Sequence, residues 1–206
     1  MYRVETTPGF IVDSRLSGEA GKILMIFTRD LGLIQTTAQG IRLEKSKLRY
    51  HTQNYSFGSF SVVRGKEFWR LTSAQGVKDS ETFGQGLRTD YLGSLSRDQI
   101  ELIARVASLL RRLLNGEEVH PELFDIVEAG VRFLRTSDRL NVEQTKTFES
   151  VFVLRILDAL GYIGRDDSID DAVTTAAFSA NLLDILTSKR PMMNQHINRA
   201  LRESQL

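Results

Sequence analysis

The chain has 206 residues, of which 41% are hydrophobic and 26% charged, with a formal net charge of +1 and no cysteine. This length accommodates one large domain or two small ones. The lack of cysteine excludes disulfides, thiolate zinc sites and cysteine nucleophiles, and no run approaches the eighteen or so apolar residues of a membrane-spanning helix.

Charge is unevenly distributed. Residues 1–80 carry twelve Lys/Arg against seven Asp/Glu, a net +5, and the remainder nets −4. A basic front and an acidic back predict two modules with different partners. Met1-Tyr-Arg-Val-Glu5 has no apolar stretch of signal-peptide type, so the expected location is the cytoplasm, with no membrane partner.

Residues 10–15, 23–28 and 33–38 are rich in β-branched and aromatic side chains and read as three strands. Asp30-Leu-Gly32 is a turn between the second and third. A fourth strand is expected over residues 54–63. Its apolar alternation slips between Phe57 and Phe60, across Gly58-Ser59, which predicts a β-bulge there. Gly65-Lys66 then turns the chain into a fifth strand over residues 68–73. Five short antiparallel strands fit an OB-type or an SH3-like barrel, and the pattern does not choose between them.

Beyond about residue 78 the apolar period changes from two to 3.6. Ser96-Arg-Asp-Gln99 is a capping box that opens a helix reaching Leu114, closed by Asn115-Gly116. Pro121 opens a second helix through about Thr136, with Leu123, Ile126, Val127 and Leu134 on one face. Asn141 caps a third that ends at Gly161 and is apolar nearly all round, which predicts the centre of the helical core. Two more helices are expected over residues 170–188 and 191–204.

The order Gly9-Phe-Ile-Val12, Gly18-Glu-Ala-Gly-Lys22-Ile-Leu24, Phe27-Thr-Arg29 with Gly32-Leu33, and Ala38-Gln-Gly40 resembles the start of RecO, the bacterial DNA-repair and recombination mediator family. Lys45-Ser-Lys47-Leu48 matches its basic loop, and Gly65-Lys66 with Leu71 fits the end of its barrel. Phe152-Val-Leu-Arg155-Ile-Leu-Asp-Ala-Leu-Gly161-Tyr162 resembles the family's F-x-L-R-L-L-x-x-x-G-Y, and Ile197-Asn-Arg-Ala-Leu201 fits its closing helix. One departure matters. Many members carry four zinc-binding cysteines just after G-Y, where this chain has Asp166, Asp167, Asp170 and Asp171. Zinc is therefore not carried over, and no cofactor is expected.

The resemblance implies an α+β protein: an N-terminal five-stranded antiparallel OB-type β-barrel over residues 1–77, then an all-α domain over residues 78–206. It also implies a non-enzymatic mediator of DNA repair and recombination. Such a protein binds single- and double-stranded DNA and anneals complementary strands. Its partners would be RecR, the C-terminal tail of the single-strand binding protein SSB and, indirectly, RecA, in a cytoplasmic, nucleoid-associated setting.

Arg42, Lys45, Lys47 and Arg49, followed by Tyr50, lie in a predicted loop. Loop cations contact phosphates and a nearby aromatic stacks on bases; the competing reading is a solvated loop, with Glu44 offsetting one charge. Arg15, Lys22, Arg29, Arg64, Lys66 and Arg70 extend the patch if the barrel gathers them on one face. Tyr55, Phe57, Phe60 and Trp69 read as barrel core. Tyr50 and Trp69 are the candidates for stacking, with Trp69 expected to face outward beside Arg70.

The four aspartates after Gly164 fit helix capping better than a metal. An EF-hand loop begun at Asp166 would need Glu where Ala177 stands, and glycine sixth. His51, His120 and His196 are dispersed, and Gly84-Gln-Gly86 lacks the third glycine of a dinucleotide loop. Arg155, within the most apolar helix, reads as a structural anchor with Asp158 as one possible partner. Lys189, Arg190, Arg199 and Arg202 are candidate contacts for an acidic SSB tail. Two rival functions follow from the same residues: a barrel-plus-helices adaptor that binds only proteins, and a hydrolase using the aspartate cluster with a metal.

Overall fold

Alternating apolar and polar residues build five strands: β1 (Val4–Ser17), β2 (Gly21–Thr28), β3 (Gly32–Ala38), β4 (Phe57–Val63) and β5 (Trp69–Gly76). The computed structural model describes residues 3–76, 95–137, 140–164, 166–174 and 177–204; Gly84-Gln-Gly86 lies outside them. The strands close into a barrel in the order β1-β2-β3-β5-β4. Four neighbouring pairs are antiparallel, as expected. The closing β3–β5 pair is parallel and short, joining Thr36 to Trp69 and Thr37 to Arg70. This is the OB arrangement, which settles the choice that the alternation left open. Inside lie Ile11, Leu24, Ile26, Ile34, Phe60, Val62, Trp69 and Leu71. Each buried side chain of this size contributes roughly 1.5–3 kcal/mol before chain entropy is subtracted.

The register corrects two expectations. β4 pairs with β1 without a break from Phe57 to Val63, so Gly58-Ser59 is not a bulge. The parity slip arises because both faces of β4 are buried at that end. Phe60 faces the interior, and Phe57 stacks on Phe10 across the strand pair at 4.6 Å. The bulges lie in β1, at Val12, and in β5, at Thr72, where the register shifts. The second correction concerns Trp69. It shares parity with Leu71 rather than with Arg70, and only 8% of it is exposed.

The chain forms two compact units, Met1–Pro121 and Glu122–Leu206. In the first, α1 (Arg97–Leu113) packs against β1. Its capping box is complete: the Gln99 backbone N–H donates to Ser96 Oγ at 3.3 Å, and the Ser96 N–H donates to Gln99 Oε1 at 2.8 Å. The segment after α1 returns to the barrel, where Leu33 N–H donates to the Gly116 carbonyl at 2.8 Å. Gly32 admits this approach, with a φ of +68° and no side chain.

The second unit is helical: α2 (Pro121–Thr136, beginning at the boundary), α3 (Val142–Ala159), α4 (Asp170–Thr174), α5 (Ala180–Leu186) and α6 (Arg190–Glu203). α3 buries Phe148, Val151, Phe152, Leu154, Ile156 and Leu157 completely, as its all-round apolar sequence predicts. Gly161, at φ +76°, ends it: its N–H donates to Asp158, and Tyr162 N–H donates to Leu157. The helix expected over residues 170–188 is broken into α4 and α5, because Ser179 takes the N-cap role and accepts from Leu182 N–H at 3.2 Å. Phe178, just before that cap, packs its ring against Phe133, Phe148 and Phe152. Among the described residues, no helix is long and apolar enough to cross a membrane.

Gly32→Ala tests the return of the chain to the barrel. A Cβ there would lie 2.4 Å from the Glu118 carbonyl oxygen, in a left-handed conformation. The expected loss is at least about 2 kcal/mol, read from urea unfolding.

Candidate nucleic-acid interface

Cross-strand pairing decides which cations share a face. Arg15 stands opposite Ile23, Ile23 opposite Thr37, and Thr37 opposite Arg70. Directly opposed residues point to the same side, so these four form one row on the barrel's outer surface. Arg15 and Arg70 are exposed, and Ile23 and Thr37 are half-buried between them. Three strand spacings of about 4.8 Å separate the two arginines, or about 14 Å. The next outward row adds half-buried Met25, opposite Asp13 and Gln35. The β2–β3 face is thus a partly apolar strip with a guanidinium at either side. OB barrels present this face, with the β1–β2 and β4–β5 loops, to oligonucleotides and oligosaccharides.

Arg42 ties the segment after β3 to the β1–β2 turn. Its backbone N–H donates to the Ala20 carbonyl at 3.1 Å, and its Nη1 donates to the Glu19 carbonyl at 2.9 Å. Lys45, Lys47, Arg49 and Tyr50 follow on the exposed side of a segment that includes a 3-10 turn, Lys47–His51. Buried Ile41 and partly buried Leu48 anchor that segment to the barrel core. Tyr50 is 56% exposed, so its ring is open to a stacking partner.

The structure does not gather every expected residue. Lys22 lies opposite Leu16 and Ala38, one register step from the arginine row and therefore of opposite parity. Arg29 sits at the far end of β2, about 20 Å along the strand from Lys22. Lys66 is exposed in the β4–β5 loop. Trp69 cannot stack on a base from its interior position.

Two acids that the sequence did not flag compensate cations here. Arg111, in the last turn of α1, reaches Asp13 at 3.0 Å. Glu117 binds Arg64 through both carboxylate oxygens and accepts the Trp69 indole N–H at 3.0 Å. The Arg64 guanidinium lies 4.9 Å from the Trp69 ring centre. Arg64 holds the Glu117 carboxyl below the usual carboxylate range; burial opposes this and the Trp69 N–H adds to it. Glu117 lies 53 residues from Arg64 in sequence, too far for any local signal.

In the helical unit the expected cations are engaged. Lys189 pairs with Asp171 at 2.7 Å, Arg190 with Glu143 at 2.6 Å and Arg199 with Glu203 at 2.8 Å, while Arg202 donates to the Asn198 carbonyl. Asp166 accepts the Ser168 backbone N–H at 2.9 Å, and Asp170 and Asp171 occupy the first turn of α4. Among the described residues, no group of three or more His, Asp or Glu is placed to hold a metal. Arg155 is 3% exposed; its Nε donates to the Ala172 carbonyl at 2.7 Å, and its guanidinium lies 4.3 Å from the Phe178 ring centre. Burial lowers its pKa to about 10, which leaves it charged at neutral pH.

By fold, the protein is an OB-type barrel followed by helices, with a cation-flanked strip on the barrel's outer face. Residues 1–79 match the family described as Recombination protein O N terminal. The chain is similar to the DNA repair protein RecO of Dehalococcoides mccartyi, 29% identical over 76% of this chain and 56% of that protein. It is similar to that of Desulfitobacterium hafniense, 27% identical over 75% and 51%, and that of Caldanaerobacter subterraneus, 25% identical over 79% and 60%. The matches thus span little more than half the length of these relatives. The likeness to RecO proteins is carried by residues 1–79 in the family match and by about three quarters of the chain in these pairwise matches.

Two outcomes follow. The Glu117 carboxyl titrates below its ordinary value and returns toward it in Arg64→Met, read by carbon-detected NMR. Because its folded pKa is depressed, the pair stabilises the fold above the unfolded carboxylate pKa, and that contribution is lost as pH falls through the folded value. Arg155→Ala leaves the Ala172 carbonyl without its donor and opens a cavity, so it costs roughly 2–4 kcal/mol, whereas Arg155→Met, of similar volume, costs less in the same melting assay.

Proposed function

We propose that this protein is a non-enzymatic recombination mediator in DNA repair, whose barrel holds DNA by phosphate contacts and by apolar contact with bases. The observation that carries the reading is the row Arg15–Ile23–Thr37–Arg70 on an OB barrel, beside the cationic segment anchored by Arg42. Cations flanking an apolar strip suit a single strand: phosphates track the charges, and bases lie on the strip without being read in sequence. Holding two complementary strands on one basic surface reduces their mutual repulsion and raises their effective concentration, which favours annealing. Such chemistry needs no nucleophile or cofactor.

The acidic helical part would serve protein partners: RecR, the SSB tail and, through them, RecA loading. An acidic tail would compete with the acids that already hold Lys189, Arg190 and Arg199. The adaptor that binds only proteins remains the rival, and salt separates the two.

Replacing Arg42, Lys45, Lys47 and Arg49 together with alanine should weaken single-stranded DNA binding and flatten the dependence of log affinity on log salt. Each lost phosphate contact removes about 0.7 of slope, so four remove about 2.8. Lys45, Lys47 and Arg49 are exposed and without side-chain hydrogen-bond partners among the described residues, so their loss changes stability by at most about 0.5 kcal/mol each. Loss of Arg42 also frees the Glu19 carbonyl. A folded variant with an unchanged slope rejects this segment as the main contact. A wild type with no affinity at low salt favours the adaptor.

A further inference from the structure

We propose that Arg64 and the Trp69 indole N–H form a seat for one phosphate of a nucleic-acid backbone, and that the Glu117 carboxylate occupies this seat until DNA displaces it. The proposal rests on the nucleic-acid reading above and adds a site with its resident occupant. A carboxylate and a phosphate present the same acceptor geometry to a guanidinium. Here the carboxylate takes both available donors, Arg64 Nη1 and Trp69 Nε1. Trp69 is 8% exposed, so its N–H needs an acceptor whichever anion supplies it. Exchange of carboxylate for phosphate keeps every donor satisfied.

The exchange requires only a side-chain movement. The backbone on either side of Glu117 is held: Gly116 accepts from Leu33 N–H, and the Glu118 carbonyl packs on Gly32. The acid itself is half open to solvent, with 48% of its side chain exposed and 61% of that of Arg64. An exposed ion pair is weak, which makes it replaceable. A backbone phosphate adds the release of condensed counterions to what the carboxylate supplies. The seat flanks the β4–β5 loop, with Arg64 at its start and Trp69 just past its end; this is one of the two loops with which OB barrels grip oligonucleotides. Lys66, exposed in the same loop, has no hydrogen bond or ion pair among the described residues; Glu67 offsets one charge there.

Trp69 is the chain's single tryptophan, so its emission reports on the seat directly. The experiment follows binding of a labelled oligothymidine by anisotropy and Trp69 emission in parallel, for wild type, Glu117→Gln, Arg64→Met and the double variant, with melting curves as the folding control. The expected result is a change in wild-type emission that saturates with binding. Glu117→Gln should bind about two- to fivefold more tightly, because no ion pair has to be broken. Arg64→Met should lose about 0.7 of salt slope, and in its background Glu117→Gln should give no further gain. Binding without an emission change, or unchanged affinity in a folded Glu117→Gln, overturns the seat and leaves the function standing: Glu117 is then only a latch. Glu117→Asp, which shortens the acid and keeps the charge, decides the case if Glu117→Gln unfolds, since a displaceable occupant predicts tighter binding for it as well. Absence of any anisotropy change at low salt overturns the function and the seat together.

Discussion

The parallel pairing of β3 with β5, only two residues long, is the constraint on which the rest of the barrel unit depends. It closes the barrel and turns Trp69 inward and Arg70 outward. It also aligns Arg70 with Thr37, and through β2 with Arg15. Because the pairing stops at Thr36, the first half of β3 is left without a strand partner on that side, and an unpaired buried N–H there would be costly. The Gly116 carbonyl meets the Leu33 N–H, which brings Glu117 to Arg64 and Trp69. A glycine at position 32 is thereby explained by the backbone of Glu117 and Glu118, 85 and 86 residues further along the chain.

Charge on the barrel is compensated locally at two places. Arg64 faces Glu117 and Asp13 faces Arg111, whereas the segment from Arg42 to Tyr50 and the row from Arg15 to Arg70 present their cations to solvent. The basic character is therefore focused rather than spread. That is what phosphate contact requires, and a formal net charge near zero does not oppose it, since the potential is set locally within about a Debye length.

Local signals were legible in the sequence. The Ser96 and Asn141 capping boxes, the Gly161 terminus and the all-round apolar α3 depend on residues within one helical turn of each other, and the structure has each of them. The strands were legible for the same reason. What was not legible depends on partners remote in sequence. The parity slip in β4 reads as a bulge until Phe10 is seen stacked on Phe57. The orientation of Trp69 follows from register, and the roles of Glu117 and Arg111 follow from the return of the chain to the barrel. The break between α4 and α5 was the exception: the cap at Ser179 is a local feature, yet it divides the single helix expected over residues 170–188. For the interface, the cationic segment was readable, but the row joining Arg15 to Arg70 requires three strand pairings, and Arg29 falls outside it for the same geometric reason.

The most direct test is chemical-shift mapping of the labelled protein with a short oligothymidine at low salt. The account predicts shifts concentrated on Ile23, Met25, Thr37 and Arg70, with Arg15 and the segment from Arg42 to Tyr50, fading as salt rises. Shifts confined to the helical unit, or none at saturating oligonucleotide, would contradict it.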